Sequence, residues 1–578
     1  MSTTLPVGIN QWSYQERNPT ELNFAQVKQS LWEDQQPEAL IYNQNAFNSN
    51  VRTPAPPLFY NSALGIYDQR LQVTHEDGVC IHKVTHDTEG PDQKNMFYDI
   101  GIAVPSFMMT VDILEYSSTS LDWEKDTTNG FQQVHIGIGI PSHTITAEYT
   151  FSPYLQSLSG DSSTLNLARQ TIAADGTVSL VQSSPTTTFS TGLRPPFTLG
   201  FSCVRNAFAV WYKRPTDSTF QFAQTMQVGP FWVNFVDKTV LQTWRPLYGC
   251  MLQHDTFSVK STNLKLGRFG AFNGGRDCRN MTTEYGFAKV DDDGNTYMTA
   301  TLPHPLGSAQ QAVIKLNLAT LSHQIIGLIF VDRDGGFYND LAGQIIEIDL
   351  GYKITCATWG DGFNNRLAVL WGDFPASGLN VGAVTILSSM GVVPLTKNPN
   401  QQYDGFIIRR PEAWYCAYTT TDDLSFSGNP FYPCLDRCPH DQFPFGTWEA
   451  RGFEPSIQRL EGTAIWPTRE ADIWYILTGG GFSWYVLARF ADPTIGIFHT
   501  TPATIPMLAG PGGVNGAAAA GGTQVTQPWP NMVHWKENVY AITFDGDPSI
   551  TFEWGKLIWF RSPRYLPNQS VQAYNQLL

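Results

Sequence analysis

Asp293-Gly294-Asn295-Thr296-Tyr297-Met298, Asn365-Arg366-Leu367-Ala368-Val369-Leu370-Trp371, Glu412-Ala413-Trp414-Tyr415-Cys416-Ala417-Tyr418, Ala471-Asp472-Ile473-Trp474-Tyr475-Ile476-Leu477 and Glu537-Asn538-Val539-Tyr540-Ala541-Ile542 read as five returns of one phrase. Each is a turn followed by an aromatic-rich β-strand with a second strand behind it. Recurrence at a spacing of about 50 to 75 residues marks a radial or stacked β architecture, most simply a propeller. The phrases place a five-bladed β-propeller over residues 271–565, followed by a short C-terminal tail, 566–578.

Upstream, 61–270 is strand after strand. Apolar and polar residues alternate in Phe107–Leu114, Val134–Ile140, Thr144–Tyr149 and Phe208–Lys213. Such runs between Gly, Pro and Ser turns predict an antiparallel two-sheet sandwich. The hydroxyl-rich stretch Ser157–Thr191 reads as an insertion or extended hairpin carrying its own strand at Gly176–Val181. Gly274-Gly275 marks the join to the propeller. Residues 1–60 are polar and too poor in apolar mass for a core of their own. They form an N-terminal arm, with a helix expected over Asn23–Glu33 from the spacing of Phe24, Val27 and Leu31. The arm packs along the following domain or docks on a neighbouring subunit. The fold expected is all-β: an antiparallel jelly-roll sandwich followed by a five-bladed propeller.

Composition narrows the function classes. A chain of 578 residues with 42% apolar, 13% aromatic and only 15% charged residues is globular and multidomain. Its 49 glycines and 37 prolines suit short strands and many turns. A formal charge of −15 without Lys/Arg clusters argues against a nucleic-acid partner. No basic segment followed by an apolar core opens the chain, and no run of 18 apolar residues occurs, so neither a secretory signal nor a membrane span is expected. Ala509–Thr523, almost wholly Ala and Gly, is a loop or a subunit contact.

Several motifs carry possible chemistry. Cys434 and Cys438, followed by His440, have part of a zinc spacing, but a fourth ligand is missing; a loop disulfide and free thiols stay open beside it. Asp291-Asp292-Asp293-Gly294-Asn295 has the look of a calcium loop, yet a hairpin turn accounts for it with fewer assumptions. No cofactor or resident metal is expected. Trp359, beside Asp361, and Trp414 stand next to turns and are the candidates for stacking on a glycan.

Two resemblances add to this. Pro196–Phe201, Phe208–Lys213, Phe220–Phe222, Arg245–Gly249 and Phe257–Val259 resemble the closing strands of the concanavalin-like, laminin-G-like jelly roll, which implies carbohydrate or protein binding through rim loops. Glu461-Gly462-Thr463-Ala464-Ile465-Trp466, before the strand at Asp472–Ile476, resembles the acid motif of the family 43 glycoside hydrolases. That resemblance implies a base on the first blade, an orienting carboxylate on the second and a glutamic acid donor, with two carboxyl groups about 6.5 to 9.5 Å apart in an inverting site. Carried over, the acid is Glu461, the orienting group Asp340 and the base Glu284. Thr463 replaces the usual Pro, Thr282-Thr283-Glu284-Tyr285 replaces an Asp-Pro, and Glu461 falls on the fourth repeat where the family acid belongs on the third.

The leading expectation is a virion-associated structural protein (fibre, spike or decoration) that binds cell-surface glycan without turnover. It would work within a homo- or hetero-oligomeric assembly, in a virion or extracellular, reached by lysis. The alternatives are a glycoside hydrolase or depolymerase acting through propeller carboxylates, and a purely architectural subunit.

Overall fold

The computed structural model describes residues 105–563 apart from a set of segments, the longest being 119–131, 152–162, 268–275, 359–366, 423–430, 491–502, 509–528 and 545–556; before residue 105 it describes the strands at 24–30, 41–42, 71–76, 79–84 and 92–97. The protein is all-β, a jelly-roll sandwich followed by a five-bladed propeller. Ala509–Thr523 lies outside the described residues.

One sandwich sheet runs Val178–Ser183, Ser163–Ile172, His143–Phe151, Gln132–Ile140, Arg245–Leu252, Asp92–Phe97, with Thr187–Phe189 beside the second of these. The other runs Gln221–Gln227, Ala207–Lys213, Phe197–Val204, Ser106–Ser118, Phe257–Gly267, Val79–Val84, Leu71–Glu76, with Ile41–Tyr42 beside Phe257–Gly267. The period-two alternation sends one side of each strand inward. Val134, Ile136, Ile138, Ile145, Ala147 and Tyr149 face Val111, Ile113, Phe201 and Phe208 in one buried cluster.

Five sheets follow, each beginning with an inner strand. Blade one runs Arg276–Asn280, Asn295–Pro303, Ala309–Asn317, Ser322–Arg333; blade two is built on Ile345–Ile348, Gly351–Ala357 and Val369–Phe374. Blade three runs Gln402–Arg409, Trp414–Thr421, Phe431–Cys438, Glu449–Phe453, and blade four Leu460–Pro467, Trp474–Gly480, Ser483–Phe490, Ala503–Ile505. Blade five has Asn531–Trp535, Asn538–Phe544 and Leu557–Pro563. Four of the five sequence phrases are second strands. The phrase at Asn365–Trp371 is instead the third strand of blade two, whose second strand, Gly351–Ala357, carries Tyr352 as its one aromatic residue.

The N-terminal segment corrects the expected helix. Phe24–Ser30 is a strand, antiparallel to Leu557–Pro563 and parallel to Met507–Leu508, so the start of the chain completes the fifth blade. The register slips by one residue between Gln26 and Lys28. An inserted residue breaks strand alternation, and the apolar step of three that results imitates a helix.

The sandwich meets blade one at a hairpin tip. Asp334 and Gly335 both have positive φ, 50° and 80°, the signature of a tight two-residue turn. Beyond it, Phe337 N–H donates to the Val236 carbonyl at 2.9 Å, Lys238 pairs with Asp332, and Phe337 packs against the cores of both domains.

Removing residues 24–30 is expected to leave Leu557–Pro563 as a free edge. Hydrogen exchange should speed up at the amides of Leu557–Arg561 while those of Phe197–Val204 keep their protection.

Candidate functional site

Four of the inner strands share one irregularity. In blade one Arg276 pairs with Thr301 but Arg279 with Thr299; in blade three Gln402 pairs with Thr420 but Phe406 with Ala417; in blade four Glu461 pairs with Gly479 but Ala464 with Leu477. Each strand therefore holds one extra residue. Blade two does the same between Leu341, opposite Ala357, and Ile345, opposite Ile354. The extra turn of backbone falls at matched places, where φ is positive: Asp277 at 54°, Ala342 at 56°, Asp404 at 59° and Gly462 at 65°. Bulges re-aim side chains, and left-handed backbone at a non-glycine residue costs on the order of 1–3 kcal/mol, so four matched bulges, three of them at non-glycine residues, mark a built feature. Gly462 has a second constraint, since a Cβ there would meet the Trp529 ring at 2.2 Å.

The bulges bring three carboxylates together: Asp277 from blade one, Asp404 from blade three and Glu461 from blade four. They are 9%, 6% and 7% exposed. Gly462 N–H donates to Asp404 Oδ2 at 3.4 Å, and Arg276 Nε donates to Asp277 Oδ1 at 3.0 Å. Below them, Arg279 of blade one is wholly buried. Its guanidinium donates to the carbonyls of Asp404 at 2.7 Å and Gly462 at 3.1 Å, and lies 4.3 Å from the Trp529 ring centroid. Arg279 thus ties blade one to the bulged backbone of blades three and four beside the carboxylates.

Burial raises the pKa of Glu461, and the Asp404 charge raises it further against the pull of Arg276; burial likewise raises Asp404, against the pull of Arg279. The two act as a pair that retains a proton well above the pH at which an exposed carboxylate has lost its own. Burial works against the charge of Arg276, but Asp277, Glu461 and Asp404 outweigh it and leave its pKa raised. Burial, with Glu461 and Asp404, also pushes the Tyr403 phenol upward.

Of the residues expected from sequence, Glu461 is in this set. Asp340 is not: it is buried in a bidentate pair with Arg333, with Nε–Oδ2 and Nη2–Oδ1 both 2.9 Å, and that guanidinium rests 3.7 Å from the Tyr338 ring centroid. Blade two offers the uncharged Ala342 at the matching bulge instead. Glu284 is also elsewhere. Its carbonyl accepts from Arg409 N–H at 2.6 Å and its carboxylate from Arg409 Nη1 at 3.0 Å. Arg409 lies five residues beyond Asp404 on one strand, roughly 16 Å away. Trp414 is 6% exposed and stacked at 4.0 Å on Phe443 between blades two and three, so its face is covered by protein; Trp359 and Asp361 lie outside the described residues.

Asp277 and Asp404 were not singled out from the sequence. Asp404-Gly405 reads as a hairpin turn, and Arg276-Asp277-Cys278-Arg279 has no alternation to mark it as an inner strand.

The other motifs resolve simply. Cys434 and Cys438 lie four apart on one strand, a separation of about 13 Å that no disulfide spans. Seven described cysteines are free and buried, and no group of metal-ligating side chains occurs among the described residues. Asp291 accepts from Asn295 N–H at 2.7 Å, closing a turn through Gly294 at φ 83°.

No family model and no curated protein matches the chain. Solved structures similar to it include a mutant B. subtilis levansucrase, at 9% identity and TM-score 0.35, covering 51% of this chain and 87% of that one. A GH43_1 enzyme from Xanthomonas citri gives 10% identity and TM-score 0.33, covering 50% and 88%; a legume lectin-like domain from Entamoeba histolytica gives 8% and 0.24, covering 35% and 90%. Likenesses of this size place no residue and carry no argument about activity.

Two outcomes check the site's energetics. Arg279→Met should lower stability by about 2–5 kcal/mol, because two buried carbonyls lose their donor, read as a drop in the unfolding midpoint. Glu461→Gln tests the raised pKa. The folded state binds the extra proton, so wild-type stability falls as pH rises from the ordinary 4.5 to the folded value of about 8. The variant lacks that loss, and its midpoint should gain on wild type across this window.

Proposed function

We propose that the propeller channel is a glycoside-hydrolase-type site, with Glu461 as general acid, Asp277 as base or nucleophile and Asp404 as the carboxylate that tunes the acid. The observation that carries this reading is the convergence of these three carboxylates on matched bulges of three inner strands. Glycosidic cleavage needs one carboxyl that keeps its proton at working pH and another that stays ionised, set apart by environment. Glu461 has the first environment: it is buried and faces a like charge. Asp277 is bonded to the Arg276 guanidinium. Protonation of the leaving oxygen by Glu461 would then accompany attack from the Asp277 side, or by water that Asp277 deprotonates. The substrate class is a glycan, and the sandwich, joined to blade one, is a candidate for holding the polymer.

The second reading is glycan binding without turnover by a virion-associated structural protein. The Arg276–Asp277 bond favours it, because it occupies the carboxylate that would have to attack or deprotonate. Membership of a virion, an assembly of subunits and a cell-surface glycan as the ligand rest on the sequence alone.

Polysaccharide digestion and glycan-array binding on the purified chain separate the two. Under the first reading oligosaccharide is released, and Glu461→Gln lowers kcat by about 100-fold or more while the array signal persists. Binding with no release by wild type would establish the second.

A further inference from the structure

The position just before each bulged residue holds Leu341, Tyr403 and Glu461 in blades two, three and four, and Arg276 in blade one. A cation thus stands in the register that supplies the acid in blade four. Its side chain is 38% exposed, whereas that of Asp277, to which it is bonded, is 12% exposed. The arginine is thus the more exposed partner of the pair. Besides Asp277, the charges facing it are Asp404 and Glu461. Arg279 bonds the backbone carbonyls of Asp404 and Gly462. Arg279 is engaged by backbone carbonyls, which leaves Arg276 as the cation that meets the carboxylates side chain to side chain.

We propose that Arg276 is a positioning residue: its planar guanidinium clamps Asp277 against the channel wall and its charge binds Asp277, Asp404 and Glu461 into one electrostatic unit. The one Nε–H···Oδ1 bond is held in the plane of the guanidinium, whereas a lysine ammonium on its flexible stem sets no such plane. Its part in turnover rests on the hydrolase reading; its hold on the carboxylates does not.

The sign of the charge effect follows from the same geometry. At about pH 5 Asp404 and Glu461 hold protons; at about pH 9 both add negative charge facing Arg276. Arg276→Met should therefore lower the unfolding midpoint more at about pH 9 than at about pH 5. Combined with Asp277→Asn, it should cost less than the sum of the two single changes. Arg276→Lys should keep the pH dependence but lose the coupling to Asp277, and it carries the test if the Met variant does not fold. Where wild type turns over glycan, Arg276→Met should lower kcat on the order of tenfold or more and shift the pH profile, with KM little changed and the profile restored by lysine. Equal midpoint drops at both pH values with additive double-variant effects would overturn the proposal. A wild type with no turnover overturns only the hydrolase reading, since the midpoint cycle still decides the clamp.

Discussion

Two hydrogen bonds from one buried guanidinium hold the propeller's centre: Arg279 to the carbonyls of Asp404 and Gly462. A cation taken wholly out of water is unfavourable, and here two backbone oxygens, the Trp529 face and the nearby charges of Asp404 and Asp277 offset part of that cost. The bulges make this possible, since an extra residue swings the carbonyls of blades three and four to where a donor from blade one reaches them. Smaller ties follow the same logic. Asn280 Nδ2 donates to the Met532 carbonyl of blade five at 3.1 Å, and Gln344 links Thr282 and Ile407 on either side of blade two. Each crosses between blades, so the inner strands are fixed to one another before any ligand is considered.

Two kinds of buried carboxylate stand side by side in this propeller and show what environment does to one functional group. Asp340 receives two parallel bonds from Arg333, which meet both oxygens and leave no face for chemistry. Asp404 and Glu461 are equally removed from water but share their cations at longer range and face each other, and burial lifts both above the ordinary range. The first arrangement is structural. The second keeps a proton available, which is the condition for acid catalysis.

The sandwich was legible because Val134–Ile140 and Thr144–Tyr149 alternate without interruption, and alternation is what a two-layer core demands. The blade count was legible because one turn-and-strand phrase returns once per blade, as the second strand in four blades and the third in blade two. What escaped was what departs from regular pairing. The strand at Phe24–Ser30 carries a register slip and imitates a helix. Asp277 and Asp404 sit on bulges, where a polar residue with positive φ has the local signature of a turn. Glu461 was found because the residue after it, Gly462, bears the conformational load and stays recognisable as a glycine.

The antiparallel pairing of Phe24–Ser30 with Leu557–Pro563 sets Ala25 opposite Arg561 and Ser30 opposite Leu557. Chain that precedes the first strand and chain that follows the second therefore leave the blade side by side, at the same end. A mechanical load applied through those two continuations would act on the ladder as on a zipper, breaking its bonds one at a time from the Ala25 end. The sandwich, lying between the two strands along the chain, stays out of that load path until the fifth blade has opened.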